Sequence, residues 1–373
     1  MKQVRAALTG CLAIISLLPL IGRAEGFAVD EATGIYSYRY PFQLPAARGR
    51  YQASLTLLSK VPGHLDSPFG CMSSSRGFGN SWQLDLPSLV WDGTDLWLNQ
   101  PERGRKLISS TRDGTGLVAD VETAYLRFSR TSPDTVVAAD AAGNTLTFKT
   151  ACPIGYVCPL GTSPSYVLTR VVDPDGNVTV YTWDTKSAFF DRLVRIDYNA
   201  FKIAEADRAT TSQVGETGSW GASVVLTWNG GSPPTLKQVD VMVNASPGAV
   251  DPTTHQMVPA APVTTRRYQL NYNSGGYNNF LALTSIVETG TVGGAEQLVT
   301  SFQQDPGANQ CLATVISPMG ARQDITFSTS YVCRFAEGWD PAVAEAFPPG
   351  VRIGVTSSTC PSSPPSVQPS ARA

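Results

Sequence analysis

The sequence predicts an all-β protein, a large irregular antiparallel sheet laid down as successive hairpins. Three observations carry this. Charged residues are only 16% of the chain, and 33 glycines and 27 prolines supply turn formers in quantity. Lys and Glu are scarce while β-branched and aromatic residues are frequent, which favours strands. Finally, one hairpin recurs along the sequence, and self-similarity of that kind marks a repeated structural unit.

The fullest copy runs from Leu168 to Asp184. One apolar, β-branched run ends at Val171, and a second contains Val178, Val180 and Trp183. Between them lies Asp173-Pro174-Asp175-Gly176-Asn177. Pro174 fixes φ at about −65° for a turn's second position. Gly176 takes the positive φ that a tight hairpin or bulge requires. Leu312, Val315, Pro318 and Gly320 repeat Leu168, Val171, Pro174 and Gly176 at the same offsets. Asp140, Gly143, Asn144 and Phe148 repeat Asp173, Gly176, Asn177 and Tyr181.

Met1–Arg5 is short and basic, Ala6–Gly22 is apolar, and Gly22-Arg23-Ala24 places small residues before a cut after Ala24. That order is a secretory signal peptide, so residues 1–24 are expected to be removed. Leu8-Thr9-Gly10-Cys11 imitates a lipoprotein box, but its apolar run follows Cys11 instead of preceding it. No other window approaches the ~18 apolar residues of a membrane span, so membrane insertion is not expected. The net charge of −2 gives no reason to expect nucleic acid. The expected product is secreted, periplasmic or surface-exposed.

The remaining elements follow in order. Ile35–Tyr40 alternates, passes Pro41 to Pro45 and Arg48-Gly49-Arg50, and resumes at Ser54–Leu58 as strand, turn, strand. After a Gly/Ser/Pro-rich loop comes Gly77-Phe78-Gly79-Asn80-Ser81-Trp82-Gln83-Leu84-Asp85-Leu86-Pro87. Gly77 and Gly79 permit a tight turn before a strand with Trp82, Leu84 and Leu86 on one face. Leu96, Leu98, Leu107 and Ile108 mark strands about Gln100-Pro101. Val224–Trp228 meets Asn229-Gly230-Gly231, a hairpin signal, and returns through Val239, Val241 and Val243. Asp340 as N-cap and Pro341 at the first position predict one short helix over 340–347, stopped by Pro348-Pro349-Gly350. Residues 361–373, rich in Pro and Ser, have no core-forming pattern and are expected to be disordered. The expected division is therefore 1–24, a β-rich domain over 25–335, a C-terminal segment over 336–360, and the tail.

Of seven cysteines, Cys11 leaves with the signal. The remaining six, Cys71, Cys152, Cys158, Cys311, Cys333 and Cys360, form an even set in an exported chain, with fifteen possible connectivities. Cys152 and Cys158 bracket a short loop, and Cys311 and Cys333 flank the hairpin at Gly320. Loop closure would contribute roughly 2 kcal/mol for the first pair and about 3.5 for the second. Cys71 with Cys360 follows by elimination. No Cys-x-x-Cys spacing supports zinc.

Catalytic constellations are thin. The two histidines, His64 and His255, both fall in expected loops. No Gly-x-Ser-x-Gly elbow exists, and Asp113-Gly114-Thr115-Gly116 reads as a turn. Asp173, Asp175 and Asn177 could offer oxygens to calcium, but Gly176 is misplaced for an EF-hand loop. No cofactor or metal is expected.

Two stretches carry a family resemblance. Leu168–Asp184, with Trp183-Asp184 in place of Tyr-Asp and Asp191-Arg192-Leu193 in place of Gly-Arg-Leu, resembles the YD repeats of rearrangement-hotspot (RHS) proteins. Gly77, Gly79, Trp82, Leu84, Leu86 and Pro87 resemble the opening motif of shells built by RHS proteins, toxin-complex B components and Salmonella virulence-plasmid B proteins. Arg267–Tyr272, Leu283–Gly290 and Thr300–Phe302 are similar to a later segment of the same families. The resemblance implies a partial RHS-type β-shell, non-catalytic, acting in toxin packaging or at a cell surface. Its implied partner is another secreted polypeptide, a toxin or further RHS segment. Two other readings fit the composition. One is a β-sandwich binding cell-surface glycan through tryptophans such as Trp91, Trp97 and Trp220. The other is a secreted glycoside hydrolase with dispersed carboxylates.

Overall fold

Strands dominate because the turns between them are strongly specified. The computed structural model describes residues 26–29, 36–61, 77–79, 81–91, 95–101, 104–109, 126–132, 134–150, 166–184, 192–200, 220–230, 234–244, 249–250, 253, 257–258, 261–274, 281–290, 296–305 and 311–324. Among these there is no helix; the helix expected over 340–347 and the tail over 361–373 lie outside them.

The strands are β1 (Gly26–Val29), β2 (Tyr36–Pro41), β3 (Thr56–Val61), β4 (Trp82–Leu84), β5 (Ser88–Trp91), β6 (Leu96–Gln100), β7 (Gly104–Ser109), β8 (Leu126–Ser132), β9 (Thr135–Asp140), β10 (Thr145–Thr150) and β11 (Tyr166–Val172). They continue as β12 (Val178–Asp184), β13 (Arg192–Ala200), β14 (Trp220–Trp228), β15 (Leu236–Val243), β16 (Ala249–Val250), β17 (Met257–Val258), β18 (Val263–Ser274), β19 (Leu281–Gly290), β20 (Gln297–Asp305), β21 (Cys311–Ile316) and β22 (Arg322–Asp324). The principal sheet has 16 strands, ordered β22-β21-β20-β19-β18-β15-β14-β13-β12-β11-β10-β9-β8, with β5, β6 and β7 branching from β11. β1-β2-β3-β4 forms a second sheet and β16-β17 a small third. Sequence neighbours are mostly sheet neighbours, as a chain of hairpins demands.

Most ladders contain a register shift, for example at Thr147/Phe148, Thr182/Trp183, Thr227/Trp228 and Asn271/Tyr272. Such bulges bend a strand and increase its local twist. On β12 the buried residues are Thr179 and Tyr181, while Val178 and Val180 are half-buried. The apolar run around Val178 and Val180 thus does not by itself mark the inward face. Tyr181 pairs with Ile196, a fully buried residue of β13, and that register fixes the inward face.

The chain divides into two compact units. The first comprises Met1–Ala28, Ser37–Leu58 and Leu84–Thr179. Its core includes Tyr38, Leu57, Leu89, Leu98, Phe148 and Leu168. The second comprises Val29–Tyr36, Ser59–Gln83 and Val180–Ala373, with Trp82, Ile196, Tyr198, Val241, Tyr268 and Ile286 in its core. In the second unit β13, β14 and β15 interrupt their alternation with buried runs, at Ile196–Tyr198, Gly221–Val224 and Val239–Val241. Ile196, Val224, Val241 and Tyr268 are fully buried, whereas Arg195, Thr227, Gln238 and Arg267 are at least partly exposed.

Candidate functional site

The three recurring turns share one hydrogen-bond scheme. In Asp140–Asn144, the Asp140 amide donates to the Asn144 carbonyl and the Gly143 amide to the Asp140 carbonyl, both at 3.0 Å. In Asp173–Asn177 the same two bonds are 3.0 Å, and in Ser317–Ala321 they are 2.8 and 2.9 Å. Gly143, Gly176 and Gly320 have φ of +84°, +80° and +80°. This is a type I turn closed by a left-handed glycine. The first residue of each turn also receives the last residue's amide on its side chain: Asn144 to Asp140 Oδ1 at 2.8 Å, Asn177 to Asp173 Oδ1 at 2.8 Å, Ala321 to Ser317 Oγ at 3.1 Å. Aspartate and serine do the same job because each ends a short side chain in an acceptor oxygen, Oδ1 two bonds beyond Cβ in aspartate and Oγ one bond beyond it in serine. Serine differs chemically from aspartate, so this shared role was not apparent from the sequence.

The turns differ in their surroundings. A methyl at Gly143 would lie 3.0 Å from Cγ of Pro174, so those two sequence-predicted residues meet. Gly176 and Gly320 have nothing within 4 Å of such a methyl, and Met319 beside Gly320 is 91% exposed. Asp173 is 4% exposed and its carboxylate is crowded with donors. Oδ1 accepts from the Asp175 amide at 3.0 Å and from Asn177; Oδ2 accepts from the Arg50 amide at 2.8 Å and from Asn177 Nδ2 at 3.0 Å. Burial pushes this carboxyl up, but the bonds from Asn177, Arg50 and Asp175 outweigh it and hold the acid below its usual range. Its oxygens are thereby committed to protein donors. Among the described residues, no group of three or more His, Cys, Asp or Glu could hold a metal ion.

Gly49 owes its identity to this turn, since a methyl there would overlap the Asp173 carboxylate. That contact joins residues more than a hundred positions apart, so no local sequence signal announces it.

The glycine-rich opening motif is a clip within the second unit. Gly77 and Gly79 have φ of +83° and +93°. The Leu236 amide donates to the Gly77 carbonyl at 2.8 Å, and a methyl at Gly77 would overlap the Pro234 carbonyl oxygen. At Gly79 it would lie 2.9 Å from the backbone nitrogen of Leu283. Phe78 packs edge-on against Trp228 with ring centroids 5.2 Å apart, and Trp82 against Phe302 at 4.9 Å. Ser81 holds a left-handed φ of +64°, and its hydroxyl lies 2.8 Å from that of Ser59. Leu84 and Leu86 are buried in the first unit, where the Asp85 amide donates to the Thr56 carbonyl at 2.9 Å. The strand ends at Leu84, short of Leu86 and Pro87.

Polar side chains, several of them buried, link β13 to β14 and β15 to β18. Arg195 Nε donates to both Asp197 oxygens at 2.8 and 2.7 Å, and the Ser223 hydroxyl donates to the same carboxylate. Arg267 Nε donates to Asp240 Oδ1 at 2.7 Å, and this bond raises the arginine's pKa. Asn229 closes the β14–β15 hairpin by accepting the Thr235 amide on Oδ1 at 2.8 Å. Burial pushes the Tyr198 and Tyr272 phenols up, and Tyr272 donates to the Leu236 carbonyl at 2.9 Å. Trp97 and Trp220 are half-buried. Cys311 is fully buried at the head of β21. Cys71, Cys152, Cys158, Cys333, Cys360, His64, His255 and Asp113–Gly116 lie outside the described residues.

Fold and turns together define an all-β protein of serial hairpins. No known family model matches its sequence, and no curated protein matches it. Among solved structures it is similar to TcdB2-TccC3-TEV, at TM-score 0.49 and 16% identity over 77% of this chain and 17% of that one. TcdB2-TccC3-Cdc42 gives 0.40 and 13% over 75% and 16%. The chain spans about a sixth of the length of these solved chains.

Proposed function

We propose that this is an exported, non-catalytic structural protein, a section of an RHS-type β-shell that another secreted polypeptide completes. The observation that carries the reading is the threefold use of one glycine-closed turn, at Gly143, Gly176 and Gly320, to fold a wide sheet. A sheet assembled from like hairpins can be extended by more of the same, which suits a wall better than a catalytic cleft. The clip from Gly77 to Trp82 supports it, because the motif that resembles the shell opening is the one that ties β14, β15, β19 and β20 together. Export is supported by the signal-like first 24 residues and by the even set of six cysteines that follows them, among which sequence spacing pairs Cys311 with Cys333.

The test is recovery of the tagged chain from the medium or periplasm of its own host, followed by native mass spectrometry. The expected result is a defined complex with a second exported chain whose sequence carries the same Pro-x-Gly and Tyr-Asp hairpins. A stable monomer at all concentrations, with saturable glycan binding or polysaccharide hydrolysis, would overturn the reading.

A further inference from the structure

We propose that residues 42–55 form a latched processing site for an arginine-directed endopeptidase, with the Asp173 turn as the latch. The segment leaves β2 and returns to β3 with no regular structure, and its ends are tied by the Phe42 amide donating to the Leu55 carbonyl at 2.9 Å. It is an Ω-loop, a compact surface excursion whose ends are close. Its tip, Ala46-Ala47-Arg48-Gly49-Arg50-Tyr51, presents two exposed arginines among small residues. Small neighbours let a peptide enter a narrow protease groove, and an arginine at the scissile position is what such enzymes recognise. Exposed loop tips of this composition are where nicking concentrates.

The tip is nevertheless held. Gln52 folds back on it, with Oε1 accepting the Ala47 amide at 3.0 Å and Nε2 donating to the Gly49 carbonyl at 3.2 Å. The Arg50 amide is bound by Asp173 Oδ2 at 2.8 Å, and Arg50 Nε lies 3.2 Å from Asp175. Gly49 presses against the same carboxylate. A protease binds its substrate extended, so these bonds must break before either arginine is cut. Cleavage consumes one water: its oxygen joins the arginine carbonyl carbon, the C–N bond breaks, and the following residue leaves as an amine with the proton. The two pieces stay associated, because β2 is hydrogen-bonded to β3 across the cut.

The experiment is limited digestion of the full chain with trypsin at neutral pH, the first cuts being mapped by mass spectrometry. Gln52→Ala loosens the loop without touching the turn. Gly49→Ala and Asp173→Asn break the latch from its two sides. All three are expected to speed the first cut at Arg48 or Arg50 by about tenfold, as loss of one or two such bonds implies. Cuts at other arginines and lysines should keep their rates, and the nicked protein should run intact on a native gel. Unchanged rates in Gln52→Ala and Gly49→Ala, or first cuts elsewhere in the loosened proteins, would overturn the proposal. Gln52→Ala keeps the test decisive even if Asp173→Asn fails to fold. The outcome is independent of whether the protein belongs to a shell.

Discussion

Alanine at the three turn glycines should produce a graded loss of stability that depends on what stands beside each turn. At Gly176 and Gly320, φ is +80° and a methyl meets nothing within 4 Å, so only the backbone conformation resists substitution. The left-handed region costs an L-residue roughly 1–2 kcal/mol. The stiffer unfolded chain returns about 0.5 of that. The expected net loss is therefore about 1 kcal/mol at each. Gly143 carries the same φ penalty and adds a 3.0 Å contact with Pro174 Cγ. Crowding of that kind adds about 1 kcal/mol, for a total of about 2. Asparagine, which tolerates the left-handed region, should cost less than alanine at Gly176. The assay is native-state hydrogen exchange of the flanking strand amides, which reads each hairpin separately. A double-mutant cycle with Pro174→Ala should recover about 1 kcal/mol at Gly143 and none at Gly320. Equal losses at all three sites, or no loss at Gly176 and Gly320, would refute the assigned turn geometry.

Three further outcomes follow from the same structure. Asp173 and Asp324 both have carboxyls held below the usual range, Asp324 by the Thr314 hydroxyl and then Arg322. Their contribution is thus fully present above an unfolded carboxylate pKa of about 3.9 and is lost as pH falls through the lower folded values. Urea midpoints between about pH 2 and 5 should fall on acidification for the wild type and fall less for Asp173→Asn; a rise on acidification would contradict the assignment. Gly79→Ala places a methyl 2.9 Å from the Leu283 backbone nitrogen at φ +93°, and should destabilise by about 3 kcal/mol or more in urea unfolding. Arg267→Met strands the Asp240 carboxylate, whose side chain is 11% exposed, with Gln238 as its remaining side-chain partner. With the arginine itself 43% exposed, the loss should be about 1–2 kcal/mol and should shrink in Asp240→Asn.

The turns were legible in the sequence because positive φ is nearly a glycine monopoly, so Gly143, Gly176 and Gly320 stand out from any apolar background. Gly77 and Gly79 were legible for the same reason, although what they touch was not. Inward faces were harder. On β12 Thr179 and Tyr181 face inward while Val178 and Val180 are half-buried, because register against β13 and not hydropathy sets the face. Pairings set by register were invisible. Arg195, Asp197 and Ser223 meet only because Asp197 lies opposite Ser223, and Asp240 meets Arg267 for the same reason. The role of Gly49 is the extreme case, since its reason is a carboxylate on a distant hairpin.

The most direct measurement is the backbone conformation at Gly143, Gly176 and Gly320, read by NMR from protein labelled only in glycine. Hairpin reversals of the kind described require left-handed φ near +80° at all three, with their amides shielded by the carbonyls of Asp140, Asp173 and Ser317. Helical shifts or right-handed φ at any two of them would mean that these glycines do not close strand reversals, and the architecture built on them would fail.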